Sequence, residues 1–223
     1  MFDLSEYEAV IFDLDGVLVT TDSCHYAAWK QLADEEGIYF DRKINERLRG
    51  ISRMESLDIV LEKSSRDYSD AEKKEMAERK NSYYVKLVNK IDESALIDGA
   101  QDFVLYVKGL SLKTAIGSSS KNTKLILDRT NIFSLFDAIV DGNDIKKSKP
   151  DPEVFLKAAK ALGISPNHCL VCEDADAGVD AAVSAGMHVL AVGYAKCNKK
   201  ATYAADNLKA ALCGVNQRLY VKR

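Results

Sequence analysis

Short apolar segments alternate along this chain with stretches in which apolar residues repeat at a helical period. Residues 8–13 form a nearly continuous apolar run, which is typical of a strand covered on both faces. Similar runs occupy residues 113–117, 169–173 and 188–193, with a weaker one at 137–140. Helical patterns lie between them at residues 122–129, 152–162 and 175–185. This alternation predicts an α/β fold, a Rossmann-like three-layer α/β/α core around a parallel sheet.

The stretch from residue 20 to residue 92 interrupts the alternation. It contains helical patterns at residues 23–36, 52–62 and 70–89 and no convincing strand. The first of these opens at Ser23, a residue type that often caps helices. We therefore predict an all-helical cap domain over residues 20–92, inserted after the first strand of a core domain formed by residues 1–19 and 93–223.

Composition and charge narrow the classes of protein to consider. The chain has 223 residues, of which 47% are hydrophobic and 29% charged, so it can form one domain with a large insertion or two modest domains. Lysine and arginine number 31 against 34 aspartates and glutamates, which leaves no basic field to attract nucleic acid or anionic lipid. The N-terminal segment is acidic where a secretory signal needs basic residues, and no apolar run approaches a membrane span. We expect a cytoplasmic monomer with no nucleic-acid or membrane partner.

The five cysteines suit reduced thiols better than a disulfide framework, because their number is odd. Cys169 and Cys172 form a CxxC pattern inside a predicted buried strand, where residues three apart point to opposite faces. No second cysteine pair completes a zinc site. We interpret both as small core residues.

The first candidate for chemistry is Asp13-Leu14-Asp15-Gly16, which ends the first predicted strand. Two carboxylates spaced by one residue can face the same side of the backbone. Gly16 permits a sharp turn that brings backbone N–H groups near an anion. An Asx turn that simply ends a strand is the alternative.

Three further elements follow later strands. The segment GSSSKN at residues 117–122 offers hydroxyls before a helix, which suit a phosphate, although serine capping is an alternative. Lys149 lies in the stiff loop SKPDP, where a solvated lysine is the alternative. Glu173 and Asp174 supply hard oxygen ligands for Mg²⁺, or ordinary acids at a helix N-terminus.

All four elements lie at the carboxyl ends of predicted parallel strands, where ligands bind in open α/β sheets. Together they offer a nucleophile, an acid/base group, ligands for a dication and donors for phosphoryl oxygens. Phosphoryl transfer needs this combination, because most of its catalysis is positioning and neutralisation of charge. The sequence therefore predicts a magnesium-dependent phosphoryl-transfer site.

The order and spacing of DLDG, the serine after the second strand, SKPDP and ED resemble the four motifs of the haloacid dehalogenase superfamily, over nearly the whole chain. The segments FDLDGVL, HYAAW, RGISRMES, ERKNSYY, SSSKN, SKPDPEVF and EDADAG all have counterparts in its β-phosphoglucomutase family. The resemblance implies a core of the haloacid dehalogenase type with a helical cap. It also implies interconversion of β-glucose 1-phosphate and glucose 6-phosphate, through an aspartyl phosphate and glucose 1,6-bisphosphate.

The resemblance also implies roles for single residues. Asp13 would be the nucleophile and Asp15 the general acid/base. Mg²⁺ would take oxygens from the Asp13 carboxylate, the Asp15 main chain and Asp174, with Glu173 bound directly or through water. Ser118 and Lys149 would hold the transferring phosphoryl group. The sugar phosphate would be bound by the remaining candidates, which are His25, Trp29, Arg49, Gly50, Arg53, Ser56, Lys80, Ser120 and Asn122.

A mutase must hold one phosphate of a bisphosphate while it transfers the other, and arginine binds phosphate in a fork, which favours Arg49 and Arg53 as a clamp. Solvated surface arginines are the alternative. His25 and Trp29 share a helix face, which core packing would also explain. The chain departs from the family at Arg49, where lysine is common. It has Val17 where many phosphatases of the superfamily have threonine, which favours transfer over hydrolysis.

Three rival functions remain. A sugar-phosphate phosphatase would use the same Asp13 and Asp15 and let water attack the aspartyl phosphate. A phosphonate hydrolase would need a Schiff-base lysine in the cap, and none stands out in the sequence. A non-enzymatic phospho-acceptor or ligand-binding module would also group aspartates at strand ends, but a receiver domain has no helical insertion after its first strand.

Overall fold

The computed structural model describes residues 3–216 of the chain. Within that range six parallel strands form one sheet in the order β3-β2-β1-β4-β5-β6. The strands are β1 (Ala9–Phe12), β2 (Lys113–Gly117), β3 (Ala138–Val140), β4 (Cys169–Glu173), β5 (His188–Ala191) and β6 (Tyr203–Ala204). The helices are α1 (Asp22–Glu35), α2 (Arg42–Glu46), α3 (Arg53–Leu61), α4 (Asp70–Val88), α5 (Ala100–Gly109), α6 (Thr123–Arg129), α7 (Glu153–Leu162), α8 (Asp176–Ser184) and α9 (Leu208–Asn216).

The predicted α/β architecture is confirmed, since each of the five predicted strand segments contains a strand. The short elements α2 and β6 and the helices α5 and α9 were not predicted. The helix predicted to open at Ser23 begins instead at Asp22, after Thr21. The Thr21 hydroxyl does not cap the helix, because it donates to the Asp15 carboxylate.

Register and strand order place the predicted motifs on one edge of the sheet. Phe12 pairs with Ile116 of β2 and with Cys172 of β4, so the residues that follow these three strands emerge side by side. The chain order reverses between β1 and β4, which is the position where ligands bind in open parallel sheets.

Each face of the sheet is covered by its own apolar cluster. The cluster on one face includes Phe12, Phe103 and Cys172, and the cluster on the other includes Ile11, Phe155 and Cys169. Cys169 and Cys172 are buried free thiols, as expected for core residues on opposite faces. No helix within residues 3–216 combines the length and apolarity needed to cross a bilayer.

The segment between β1 and α5 contains α1 to α4 and packs around an apolar cluster of its own. Leu32, Phe40, Leu57 and Met76 lie in that cluster, and each is nearly inaccessible to solvent. Capping boxes define two of its helices: Ser52 pairs with Glu55 at α3, and an equivalent serine and glutamate open α4. This helical segment lies over the carboxyl edge of the sheet and encloses a cavity there.

Candidate active site

A cavity of 1340 Å³ lies between the carboxyl edge of the sheet and the helical segment. Its lining contains every predicted site residue except Glu173, which is buried behind it. The lining residues from that set are Asp13, Asp15, His25, Trp29, Arg49, Gly50, Arg53, Ser56, Lys80, Ser118, Ser120, Asn122, Lys149 and Asp174. Residues far apart in sequence thus share one cavity, which can admit a ligand with polar groups at more than one position.

The turn after β1 brings Asp13 and Asp15 to the cavity. The Asp13 amide donates to the Cys172 carbonyl at 3.0 Å, which continues the sheet pairing by one residue. Gly16 has a φ of 84°, and a Cβ added to it would lie 2.0 Å from a carboxylate oxygen of Asp174. Only glycine allows this turn to approach Asp174 so closely. In residues 3–216 neither aspartate side chain accepts a bond from the turn's own backbone, so the Asx-turn alternative does not describe it.

Lys149 is one of the deepest charged groups of the site, with 2% of its surface exposed. Its Nζ lies 2.5 Å from Asp13 Oδ1 and 2.7 Å from Glu173 Oε2. Burial lowers the pKa of Lys149, but the Asp13 and Glu173 carboxylates outweigh it and leave the pKa above its ordinary value. Lys149 is therefore a fixed cation, and the alternative of a solvated lysine is wrong.

Asp13, Glu173 and Asp174 form an acidic cluster whose carboxylate oxygens lie within 4.8 Å of one another. Burial raises the pKa of Asp174, and the negative charges of Glu173 and Asp13 raise it further. Repulsion of this kind is relieved by a cation, and three buried carboxylates are the donor set that hard divalent ions prefer. The cluster therefore fits a divalent metal.

Glu173 has partners for both of its carboxylate oxygens. Oε2 accepts from Lys149, and Oε1 accepts from the backbone amides of Asp174 and Ala175 at 3.1 Å each. A Cβ added to Gly178 would lie 2.0 Å from a carbon of Glu173, so this glycine of α8 makes room for the carboxylate. Glu173 and Asp174 both precede α8, which begins at Asp176. They are therefore not acids of the first turn of that helix, as the alternative interpretation would have them.

The Asp15 carboxylate accepts a hydrogen bond from the Thr21 hydroxyl, which in turn accepts one from Tyr84 at 3.0 Å. Burial, and less strongly the charge of Asp13, outweigh the bond from Thr21 and raise the pKa of Asp15 to about 7. Sequence reasoning missed Thr21 and Tyr84. Tyr84 lies in the quoted ERKNSYY segment, whereas only its proximity to Asp15 along the chain marks Thr21.

The loop after β2 is organised by its own serines. Ser118 is buried, and its Oγ accepts from the Ser120 amide at 3.1 Å, while Ser120 Oγ accepts from the Asn122 amide at 3.2 Å. These bonds lie within the loop, and α6 begins after Asn122 without a side-chain cap, so the alternative of helix capping by serine is wrong. The Ser119 Oγ, by contrast, is buried without a partner among the described residues.

Three aromatic rings of the helical segment surround the buried amine of Lys80. Its Nζ lies 3.1 Å from His25 Nδ1, 4.6 Å from the centre of the Trp29 ring and 4.8 Å from that of Tyr84. Burial and, after it, the charge of Arg53 lower the pKa of Lys80 to about 7. Trp29 also belongs to the segment's apolar cluster, so packing explains part of its position.

The two arginines of the site are both partly buried and paired, so they are not solvated surface groups. Arg53 donates to Asn81 Oδ1 at 2.8 Å, and Asn122 of the core donates to the same oxygen at 3.0 Å. Arg49 forms an ion pair with Asp22 at the start of α1. Asn81 lies in the ERKNSYY segment, although sequence reasoning did not single it out.

Gly50 and Ser56 complete the predicted set. Gly50 has a φ of 73°, and a Cβ added there would lie 3.0 Å from the Ala175 Cβ, so the chain passes close to the core at this point. Ser56 is buried on α3 and lines the cavity.

Comparison with known proteins identifies the group to which the site belongs. The family model of the haloacid dehalogenase-like hydrolases matches residues 7–186. This chain belongs to the haloacid dehalogenase superfamily. Its four motif segments therefore lie within the matched region, and the family relationship predicted from them is confirmed.

Two relatives of this haloacid dehalogenase-like chain are β-phosphoglucomutases. The one from Bacillus subtilis is 45% identical over 83% of this chain and 83% of its own length. The crystal structure of the one from Clostridium difficile has a TM-score of 0.86 and 42% identity, covering 97% of this chain and all of the other. A phosphorylated carbohydrates phosphatase from Thermotoga maritima is 31% identical over 81% of this chain and 82% of its own.

Proposed function

We propose that this protein is a β-phosphoglucomutase, an isomerase that interconverts β-glucose 1-phosphate and glucose 6-phosphate by transfer through an aspartate. The observation that carries the proposal is that one cavity holds hydrogen-bond donors at two separate positions, each with a cationic side chain. Lys149 lies at Asp13, while Arg53 and Asn122 meet at Asn81. A sugar with a phosphate at each end suits such a cavity. The similarity to the Bacillus subtilis enzyme supports the same assignment.

The helical segment is proposed to act as a cap domain, with residues 20–92 as the cap and residues 1–19 and 93–223 as the core. An apolar cluster that lies wholly within the helical segment supports this division, while Ala28, Tyr84 and Val88 of the same segment pack into the cluster on one face of the sheet. Closure of the cap excludes water, which favours transfer to a sugar hydroxyl over hydrolysis.

In the proposed reaction, the phosphorylated Asp13 transfers its phosphoryl group to the 6-hydroxyl of β-glucose 1-phosphate. The bond between phosphorus and the Asp13 oxygen breaks, and the hydroxyl proton passes to Asp15. The bisphosphate then turns in the cavity, and Asp13 attacks the phosphorus at position 1. Asp15 returns the proton to the departing sugar oxygen, and glucose 6-phosphate leaves. Ser118 and Lys149 hold the phosphoryl oxygens in both steps.

Mg²⁺ is proposed as the divalent ion, held by the Asp13 and Asp174 carboxylates and the Asp15 main chain. When bound, it neutralises negative charge on the transferring phosphoryl group. Glu173, whose two oxygens already accept from Lys149 and from backbone amides, is proposed to bind the metal directly or through water. His25, Trp29 and Lys80 are proposed to contact the sugar side, with Arg49, Gly50, Arg53, Ser56, Ser120 and Asn122 around the distal phosphate.

One incubation tests this function. The protein is mixed with Mg²⁺, β-glucose 1-phosphate and a trace of glucose 1,6-bisphosphate, and both glucose 6-phosphate and free phosphate are followed. Glucose 6-phosphate should accumulate with little free phosphate, and a chelator should stop the reaction. Release of phosphate as the main product would instead favour the phosphatase alternative, the activity named for the Thermotoga maritima relative. The cytoplasmic location and monomeric state stay predictions.

A further inference from the structure

Arg49 joins three parts of the fold through one side chain. It lies between α2 and α3, and its guanidinium pairs with Asp22 at the start of α1. The guanidinium carbon also lies 4.2 Å from the centre of the Tyr194 ring, and Nη2 lies 3.4 Å from the Tyr194 hydroxyl. Tyr194 belongs to the 3₁₀ turn Gly193–Cys197 that follows β5, so this stack connects the helical segment to the core.

The turn that carries Tyr194 is fixed next to the acidic cluster. The Ala195 amide donates to the Asp174 carbonyl at 2.9 Å, and the Gly193 amide donates to the Asp206 carbonyl at 3.1 Å. The Tyr194 side chain itself is 71% exposed, so the ring contributes little to the apolar core. The main side-chain contact of Tyr194 is therefore the one with Arg49.

Arg49 retains an unused donor in this arrangement. Its Nε is buried and has no hydrogen-bond partner among the described residues, since Asp22 is bound through Nη2. Arg49 lines the cavity, and a buried N–H of a guanidinium is a strong donor for an anion. The neighbouring Gly50, which passes within contact distance of Ala175, limits where the arginine backbone can lie.

We propose that Tyr194 is a positioning residue of this site: its ring holds the Arg49 guanidinium at the cavity with Nε directed to a substrate phosphate, and so keeps the helical segment against the core. This inference rests on the proposed function. It also explains why arginine stands where lysine is common, because a planar guanidinium stacks on a ring while keeping its edge donors, whereas an ammonium group is a point charge.

The test compares Tyr194→Ala with Tyr194→Phe, and uses Tyr39→Ala as a matched control, since Tyr39 is 65% exposed and lies outside the cavity lining. The chain has a single tryptophan, Trp29, which lines the cavity and reports binding by its fluorescence. Titrations use β-glucose 1-phosphate and, separately, inorganic phosphate. Tyr194→Ala should weaken binding of the sugar phosphate and raise its KM by about fivefold, with kcat changed less than about twofold. Tyr194→Phe keeps the ring and should stay within about twofold of wild type.

Repeating Tyr194→Ala in an Arg49→Ala background isolates the coupling. If Tyr194 acts through Arg49, the second substitution should then have no further effect. The inference is overturned if Tyr194→Ala changes the affinity for β-glucose 1-phosphate no more than Tyr39→Ala does. It is also overturned if Tyr194→Ala weakens this affinity by the same factor in the Arg49→Ala background as in the wild-type protein. A wild-type protein that binds the probes but forms no glucose 6-phosphate would refute the proposed function while the titration still decides the role of Tyr194. Binding of neither probe would overturn both.

Discussion

Lys149, at the scale of single residues, is a buried cation between two carboxylates and shows how the site balances its charge. The attraction of Asp13 and Glu173 offsets the cost of removing the ammonium from water. With either carboxylate removed, the other still pairs with the lysine. Substitutions of the candidate nucleophile can therefore test chemistry without removing the only partner of a buried charge.

The first prediction is that Asp13→Asn lowers turnover by at least about a thousandfold while the protein stays folded. An amide cannot attack phosphorus and is a poor ligand for a divalent ion, whereas its oxygen can still accept a bond from Lys149. Glucose 6-phosphate formation and the thermal unfolding midpoint are the two measurements. Asp128→Asn, an exposed aspartate of α6, is the matched control. Activity within about tenfold of wild type would refute the nucleophile assignment.

The second prediction concerns the cost of burying Lys80. Its pKa is about 7 in the folded protein against an ordinary 10.5, because burial and Arg53 disfavour the charge more than Asp15 favours it. The folded state thus binds fewer protons than the unfolded state between pH 7 and 10.5, so the destabilisation is complete below pH 7 and fades as pH rises toward 10.5. Lys80→Met should raise the free energy of unfolding by about 2 kcal/mol at pH 6 and by much less at pH 10.

Denaturant unfolding at the two pH values measures the Lys80 effect. Lys86→Met, an exposed lysine on the same helix α4, provides the control and should shift stability little at either pH. An equal gain at pH 6 and pH 10 would mean that packing, not charge, explains the change. Loss of mutase activity in Lys80→Met would accompany the gain in stability if the amine serves the sugar.

At the scale of elements, the turn after β1 shows how a backbone conformation controls a carboxylate. Gly16 has positive φ and leaves no room for a Cβ beside Asp174. The third prediction is that Gly16→Ala displaces Asp174, weakens Mg²⁺ binding at least about tenfold and lowers stability by about 1 to 3 kcal/mol. Calorimetric titration with Mg²⁺ and thermal unfolding measure the two effects.

Gly37→Ala is the matched control for the turn. Gly37 also has positive φ, at 67°, but an added Cβ there meets nothing within 4 Å. Its substitution should incur the backbone strain alone and leave Mg²⁺ binding intact. If both substitutions weakened the metal equally, the close approach of the turn to Asp174 would not be the cause.

At the scale of the whole molecule, Arg53 and Asn122 meet across the cavity from the helical segment and the core, at one oxygen of Asn81. The fourth prediction is that Arg53→Ala abolishes most conversion of β-glucose 1-phosphate. A charge-assisted contact of this kind contributes on the order of 2 to 3 kcal/mol. Slow Mg²⁺-dependent hydrolysis of a small aryl phosphate should survive, because that substrate has no distal phosphate and the groups around Asp13 are untouched.

Arg47→Ala is the control for the clamp, since Arg47 is an exposed arginine of the same helical segment and pairs with Glu62 on the surface. It should leave both reactions near wild-type rates. Should Arg53→Ala reduce both reactions equally, or neither, Arg53 would not be a phosphate clamp and the geometric argument for a mutase would fail.

The sequence alone predicts five of the six strands described in residues 3–216, their parallel arrangement and the segments that meet at the edge of the sheet. Apolar runs and helical periods are local signals, and the carboxyl ends of parallel strands necessarily share one edge. Asp13, Lys149 and Asp174 could therefore be assigned to one site from the order of the strands and motifs along the chain. The short elements α2 and β6 escaped because too few residues carry their pattern.

The partners that complete the site, by contrast, depend on how the folded chain packs. No local sequence pattern relates the residues in three of these contacts. They are the bond from Thr21 to Asp15, the bonds from Arg53 and Asn122 to Asn81, and the stacking of Arg49 on Tyr194. Local patterns indicate which residues share a face of one element. They do not indicate which faces pack together where the helical segment meets the core. Packing of His25, Trp29 and Tyr84 around Lys80 likewise removes water from its amine and lowers its pKa, since desolvation depends on what packs against a group and not on its neighbours in sequence.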